Sequence, residues 1–229
     1  MTSPNLDRRQ MFAATAVVAT ALGGAATAAQ PAPATFAPKA LPFDPKAVIG
    51  LSEKLLISHY DNNYVGAVKR LGAIGGQLAS LDPTTAPGFT INGLKREELI
   101  AWNSMILHEL YFAGLGAAGR PGPALAAAIE RDFGSDTRWR AEFAAMGKAL
   151  GGGSGWVLLT WSRRDNRLVN TWAADHTMTL AGGAPILALD MYEHAYHMDY
   201  GAKAGAYVDA FMATINWANA DKEFARVAV

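Results

Sequence analysis

Cysteine is absent from the 229 residues of this chain, which excludes thiolate metal sites, disulfide frameworks and cysteine nucleophiles together. Any metal must be held by histidine, aspartate, glutamate or solvent oxygen, a donor set that suits iron, manganese or zinc better than a soft ion. Net charge is also missing: 20 Lys and Arg balance 20 Asp and Glu, so no bulk field is present to hold a nucleic acid or an anionic membrane. Histidine is scarce, with His59, His108, His176, His194 and His197 the only five copies. No HExxH spacing sets up a zinc hydrolase, and the glycine run at 151–155 lacks the Gly-Lys-Ser/Thr of a phosphate loop. Apolar residues are plentiful at 51%, enough to bury one sizeable core or two small ones.

The first thirty residues read as targeting rather than structure. Asp7-Arg8-Arg9-Gln10-Met11-Phe12 precedes an uncharged run from Ala13 to Ala29 that contains Ala26-Thr27-Ala28 as an A-x-A cleavage site. This is the pattern of a twin-arginine signal peptide over residues 1–28, and the run is too short and too weakly hydrophobic to span a bilayer. The expected product is periplasmic or secreted, with no stable membrane insertion after cleavage. Residues 29–40, rich in Pro and Ala, read as an extended or disordered linker.

Folding proper starts near Leu41. Ser52 followed by Glu53 marks a helix start, and the helix is expected to run through His59 and Tyr64 to about Leu71. The Gly, Pro and Thr of residues 72–93 predict a loop of an α-hairpin. A second helix is expected over Lys95–Gly114, with His108 on a largely apolar face. Pro121-Gly122-Pro123 reads as the boundary between a helical part, 41–120, and a mixed part, 121–229. In the latter, helices over 125–133 and 137–150 lead to a hairpin of Trp156–Trp161 and Leu168–Trp172, then to an apolar strand, Ala184–Leu189. Asp190 leaves the end of that strand, His194 follows four residues on, and a helix is expected over Tyr207–Trp217. In a helical turn a spacing of four puts a carboxylate and an imidazole on one face, where both can serve one ion.

The run Asp190-Met191-Tyr192-Glu193-His194-Ala195-Tyr196-His197-Met198-Asp199-Tyr200 resembles the C-terminal motif of the iron/manganese superoxide dismutases, D-x-W-E-H-A-Y-Y-x-D-Y, with Tyr192 in place of Trp and His197 in place of the second Tyr. Leu51-Ser52-Glu53-Lys54 is similar to the start of that family's first helix and places His59 on its first ligand. Anchoring instead on Tyr64-Val65 sets Leu56 opposite that ligand, because three residues are missing between the anchors, and Leu56 cannot bind metal. The end of the second helix puts His108 on the second ligand, and Gly153-Ser154-Gly155-Trp156 matches the turn into the family's first strand.

The resemblance, over about residues 41–225, implies an α+β fold: an N-terminal α-helical hairpin, then helices around a small three-stranded antiparallel sheet. It implies His59, His108, Asp190 and His194 as ligands of one Fe or Mn ion per subunit, with superoxide as substrate. Tyr64 and His176 are expected to bond the metal-bound solvent. Glu193 beside His194 implies a homodimer in which each Glu accepts from the partner's ligand His, and His197 is left for the interface or for support of the site. The family's funnel Arg is replaced by Ala204, with Lys203 adjacent as a substitute, and cavity aromatics are altered at Phe112, Leu158 and Tyr192. The alternative is an exported metal-binding or interaction protein that keeps the fold without efficient dismutation.

Overall fold

The structure is a computed structural model that describes residues 35–116 and 118–228. The leader read at 1–28 lies outside the described residues. The helical part opens with α1, Glu53–His59, whose first turn is capped by the Ser52 hydroxyl accepting from the Leu55 amide. Ser52 also donates through its amide and its hydroxyl to the Asp199 carboxylate, at 2.7 and 2.6 Å. This bond between residues 147 apart pins the start of α1 to the far end of the chain.

After His59 the helix widens. Residues Tyr60–Tyr64 form a π turn, closed by the Val65 amide on the Tyr60 carbonyl, before α2 resumes over Val65–Ser80. The loop expected over 72–93 is therefore mostly helix, and only residues 81–87 connect α2 to α3, Gly88–Ala113. Ala67, Val68, Leu71 and Ile74 form a buried stripe at helical spacing. Its burial offsets the cost of Gly72, Gly75 and Gly76, each about 1 kcal/mol against Ala. Those glycines have nothing near an added Cβ, so packing does not require them.

In the second part, α4 (Pro123–Phe133) and α5 (Asp136–Ala149, capped by Ser135) precede the sheet. Strands β1 (Trp156–Ser162), β2 (Arg167–Ala173) and β3 (Gly183–Asp190) are antiparallel in the order β2-β1-β3. β1 is central and buried along its whole length, and its first residue, Trp156, pairs with Asp190 at the end of β3. The fold is thus α+β, with a three-stranded antiparallel sheet. A short turn, Glu193–Ala195, and α6 (His197–Tyr200) follow β3, then α7 (Ala204–Ala213) and α8 (Trp217–Val227).

The single helix expected over Tyr207–Trp217 is broken at Thr214–Asn216. There the chain bonds to the end of α3 instead of to itself: the Gly116 amide donates to the Thr214 carbonyl and the Asn216 amide to the Gly114 carbonyl, both at 2.8 Å. Asn216 then caps α8. Residues 35–40 are extended as expected but docked, with Phe36 edge-on to Trp102 at 5.6 Å and Lys39 gripped by Tyr60 and Tyr64. None of the described helices is long and apolar enough to cross a membrane.

Candidate metal centre

Asp190 is fully buried, and its two carboxylate oxygens have different partners. Oδ1 accepts from the Tyr192 amide at 2.9 Å, and the residue's own carbonyl accepts from the Tyr207 hydroxyl at 2.8 Å. The first bond fixes the side chain, and the second the backbone, so that Oδ2 faces three imidazoles. It lies 3.1 Å from His59 Nε2, 3.3 Å from His194 Nε2 and 3.5 Å from His108 Nε2. One ligand atom from each of the four residues falls within 4.8 Å of all the others.

Each histidine arrives by a different local route. His59 closes α1 just before the π turn, and His108 sits five residues before the end of the long α3, one turn after Ser104. His194 is delivered by the short turn after β3, because Tyr192 is extended (φ −66°, ψ 144°) rather than helical. The four-residue spacing of Asp190 and His194 therefore works through a strand end and a tight turn, not through one helical face.

The donor set fits a small divalent or trivalent ion. His108 Nδ1 donates to the Ser104 carbonyl at 2.6 Å, which leaves Nε2 as the bare acceptor. That atom is buried without a hydrogen-bond partner among the described residues. A buried bare acceptor costs about 1–3 kcal/mol unless something satisfies it. Ligands held at about 2.1 Å around one tetrahedral ion lie about 3.4 Å apart; Asp190 Oδ2 stands 3.1–3.5 Å from each imidazole nitrogen, and all four ligand atoms lie within 4.8 Å of one another.

Protonation agrees. Burial opposes ionisation of Asp190, but the bonds from His194 and His59 prevail and hold its carboxyl far below the usual range. Burial pushes His108 down to about 3, with His59 adding to the effect, and lowers His59 against the pull of Asp190. At neutral pH His59 and His108 are therefore neutral and Asp190 is a carboxylate, the forms that bind metal.

Aromatic rings enclose the cluster. Phe112 lies 5.0 Å from the His59 ring, and Tyr192 stacks on both His194 (5.3 Å, 16°) and His176 (4.8 Å, 10°). His176 borders the same cavity as His108 and His194, and its Nδ1 accepts from the Trp156 indole at 3.0 Å. Its ring nitrogen Nε2 thus carries the proton, and burial lowers its pKa so that the ring stays neutral.

Tyr64 is not brought to this cavity. Its hydroxyl donates to Glu109 at 3.0 Å and accepts from the Lys39 amide at 2.7 Å. The π turn explains the displacement: its wider turn admits one residue more than an α-turn and carries Tyr64 around the helix. Ala204 is buried and borders a separate cavity with Lys148, Glu193 and His197, so the Lys203–Ala204 position does not supply a cation to the histidine cavity. Glu193 is exposed while His194 keeps 27% of its side chain open to solvent. Leu158 is a buried strand residue. The sequence reading missed Ser104, Trp156 and Tyr207 as supports. Only Ser104 carried a signal, being one helical turn before His108.

Residues 121–223 match the family model of the iron/manganese superoxide dismutases, C-terminal domain. The chain is 70% identical over 187 residues to a superoxide dismutase (Fe) of Cupriavidus metallidurans, covering 82% of this chain and 95% of that protein. It is 36% identical over 192 residues to superoxide dismutase (Mn) 1 of Halobacterium salinarum, covering 82% and 94%. A superoxide dismutase (Fe) of Aquifex pyrophilus is 34% identical over 190 residues, covering 79% and 87%.

Proposed function

The chain belongs to the iron/manganese superoxide dismutase family, and on that premise we propose that His59, His108, Asp190 and His194 hold one iron or manganese ion with which it converts two superoxide and two protons to oxygen and hydrogen peroxide. The observation that carries the ligand assignment is the convergence of three imidazole Nε2 atoms on one oxygen of a buried, ionised carboxylate. When bound, the ion supplies the one-electron acceptor and donor that disproportionation needs.

The chain's own residues do the rest. Asp190 Oδ1 is held by the Tyr192 amide, so Oδ2 cannot swing away from the cluster. The Ser104 carbonyl fixes the His108 tautomer and the Trp156 indole fixes that of His176. His176 accordingly offers an Nε2–H to solvent or to an anion in the cavity, the role proposed for it here. Tyr64 acts one step away, by holding the Lys39 segment against the π turn that follows His59.

The test is elemental analysis of the purified protein with superoxide removal measured by pulse radiolysis. One iron or manganese per chain with rapid removal is expected, and Asp190→Asn should lose both. Bound metal without superoxide removal would favour a non-catalytic metal-binding protein. For residues 1–28 we keep the reading of a twin-arginine leader: Arg8→Lys with Arg9→Lys should retain the precursor in the cytoplasm, and an unchanged exported yield defeats it.

A further inference from the structure

A second cavity, about 380 Å³ in volume, shares no lining residue with the histidine cavity. That size falls at the low end of small-molecule sites. Its walls come mainly from three stretches: the arm Lys39–Pro42, the end of α3 with the tyrosines of the π turn, and α8. The π turn and α3 supply aromatic and aliphatic surface. Tyr60 donates its hydroxyl to the Lys39 carbonyl and Tyr64 donates its own to Glu109, so the polar tips of both rings are engaged and their apolar faces remain for the cavity. Phe112 lies beside them, at 5.9 and 6.3 Å between ring centroids. Ile106 and Leu110, one helical turn apart, extend the same wall, and Ile106 is left 44% exposed.

The polar side belongs to α8. Asn219, Lys222, Glu223 and Arg226 all line the cavity, at spacings of three and four that put them on one face of the helix. Of the five charged residues in the lining, Lys39 pairs with Glu109, and Arg226 pairs with Glu223 at 2.9 Å. Lys222, the fifth, has no ion pair among the described residues. Its neighbour Asp221 is engaged elsewhere, both carboxylate oxygens accepting from the Gly122 amide at 2.9 Å. The lining therefore carries one uncompensated positive charge. Asn219 Nδ2 is buried without a hydrogen-bond partner among the described residues, so the polar groups of this stripe are not all satisfied within the chain.

We propose that this cavity binds a small aromatic monocarboxylate, its ring against Tyr60, Phe112 and Ile106 and its carboxylate at Lys222. An aromatic body suits a wall built of rings, and one anionic group matches one unpaired ammonium on a polar stripe. Phe112 also lies 5.0 Å from the His59 ring, so an occupant sits one ring away from the candidate ligands without touching them. The site is independent of the superoxide reading, since it uses neither the ion nor the histidines.

The experiment is calorimetry of the purified, metal-containing protein with trans-cinnamate and with its neutral analogue, cinnamyl alcohol. One saturable site per chain is expected, with cinnamate about tenfold tighter than the alcohol, the factor that one charge-assisted contact supplies. Lys222→Gln should remove that preference and leave the affinity for the alcohol as it was. Ala40→Trp, at an exposed position of the arm that lines the cavity, fills the space and should abolish binding of both. Arg164→Gln removes a cation from the β1–β2 turn, away from the lining, and should change neither affinity. Circular dichroism and thermal unfolding establish that each variant is folded, and should Ala40→Trp fail to fold, Lys222→Gln decides alone. Protein stripped of its metal should bind cinnamate as tightly as the loaded protein. Cinnamate binding that disappears with the metal would put the carboxylate on the ion and overturn the proposal. So would a wild type with no saturable site, or a cinnamate affinity that Lys222→Gln leaves unchanged.

Discussion

At the scale of single residues, protonation decides what the centre can hold. His108 has its pKa lowered to about 3 in the folded protein, chiefly by burial, against an ordinary 6.5. Below 6.5 the unfolded chain takes up a proton that the folded site refuses, so the stabilisation is complete above 6.5 and is lost as pH falls toward 3. Asp190, also depressed, adds a loss of the same sign at lower pH, below the ordinary carboxylate value of 3.8. Urea unfolding of the metal-free protein should therefore weaken between pH 7 and pH 5 with a slope approaching about 1.4 kcal/mol per pH unit per imidazole. A flat profile over that window would mean that His108 is not buried neutral. Tyr64→Phe tests the other residue-scale assignment. It removes the bond to Glu109 and leaves the Lys39 amide without its acceptor. A loss of about 1–2 kcal/mol by thermal unfolding is expected, with superoxide removal per bound metal unchanged; the opposite pattern would put the hydroxyl in the reaction.

At the scale of elements, the turn into β1 sets the position of Trp156 and, through pairing, of Asp190. Gly155 has φ +133°, and an added Cβ would stand 2.2 Å from the Ala173 carbonyl oxygen. Gly155→Ala should cost upward of about 3 kcal/mol, by backbone strain and displacement of β2 together, and should lower metal occupancy measured after purification. That turn was legible in the sequence, as were the cap at Ser52 and all three strands, because each rests on local chemistry. The continuation of α2 through Gly72–Gly76 was not, since its apolar stripe is stabilised by packing against α3 that composition does not display. The break at Thr214–Asn216 was likewise hidden: its hydrogen-bond partners, Gly114 and Gly116, lie about a hundred residues away. The π turn explains why one residue of the expected site went elsewhere while His59, just before it, stays in the cluster.

At the scale of the whole molecule, His194 is a candidate ligand with an open flank. No described residue of the same chain accepts from its Nδ1, and Glu193 beside it is exposed. A second copy related by a two-fold axis would set each Glu193 against the other's His194, the arrangement proposed for a homodimer. Glu193→Ala should then shift light scattering toward monomer and reduce metal retention against a chelator, whereas a mutant dimer with full metal would leave Glu193 a solvated surface residue.

The first and third ligand candidates are 131 positions apart, and the fourth follows four residues after the third. At about 5–20 residues per second of synthesis, about 7 to 26 seconds pass between the addition of His59 and that of Asp190. No fragment ending before His194 can hold the ion with the full donor set, and the Ser52–Asp199 bond that pins α1 arrives later still. Loading with the full donor set therefore waits until His194 has been added, and premature termination anywhere before Asp190 yields a protein that cannot compete for cellular iron or manganese at this site.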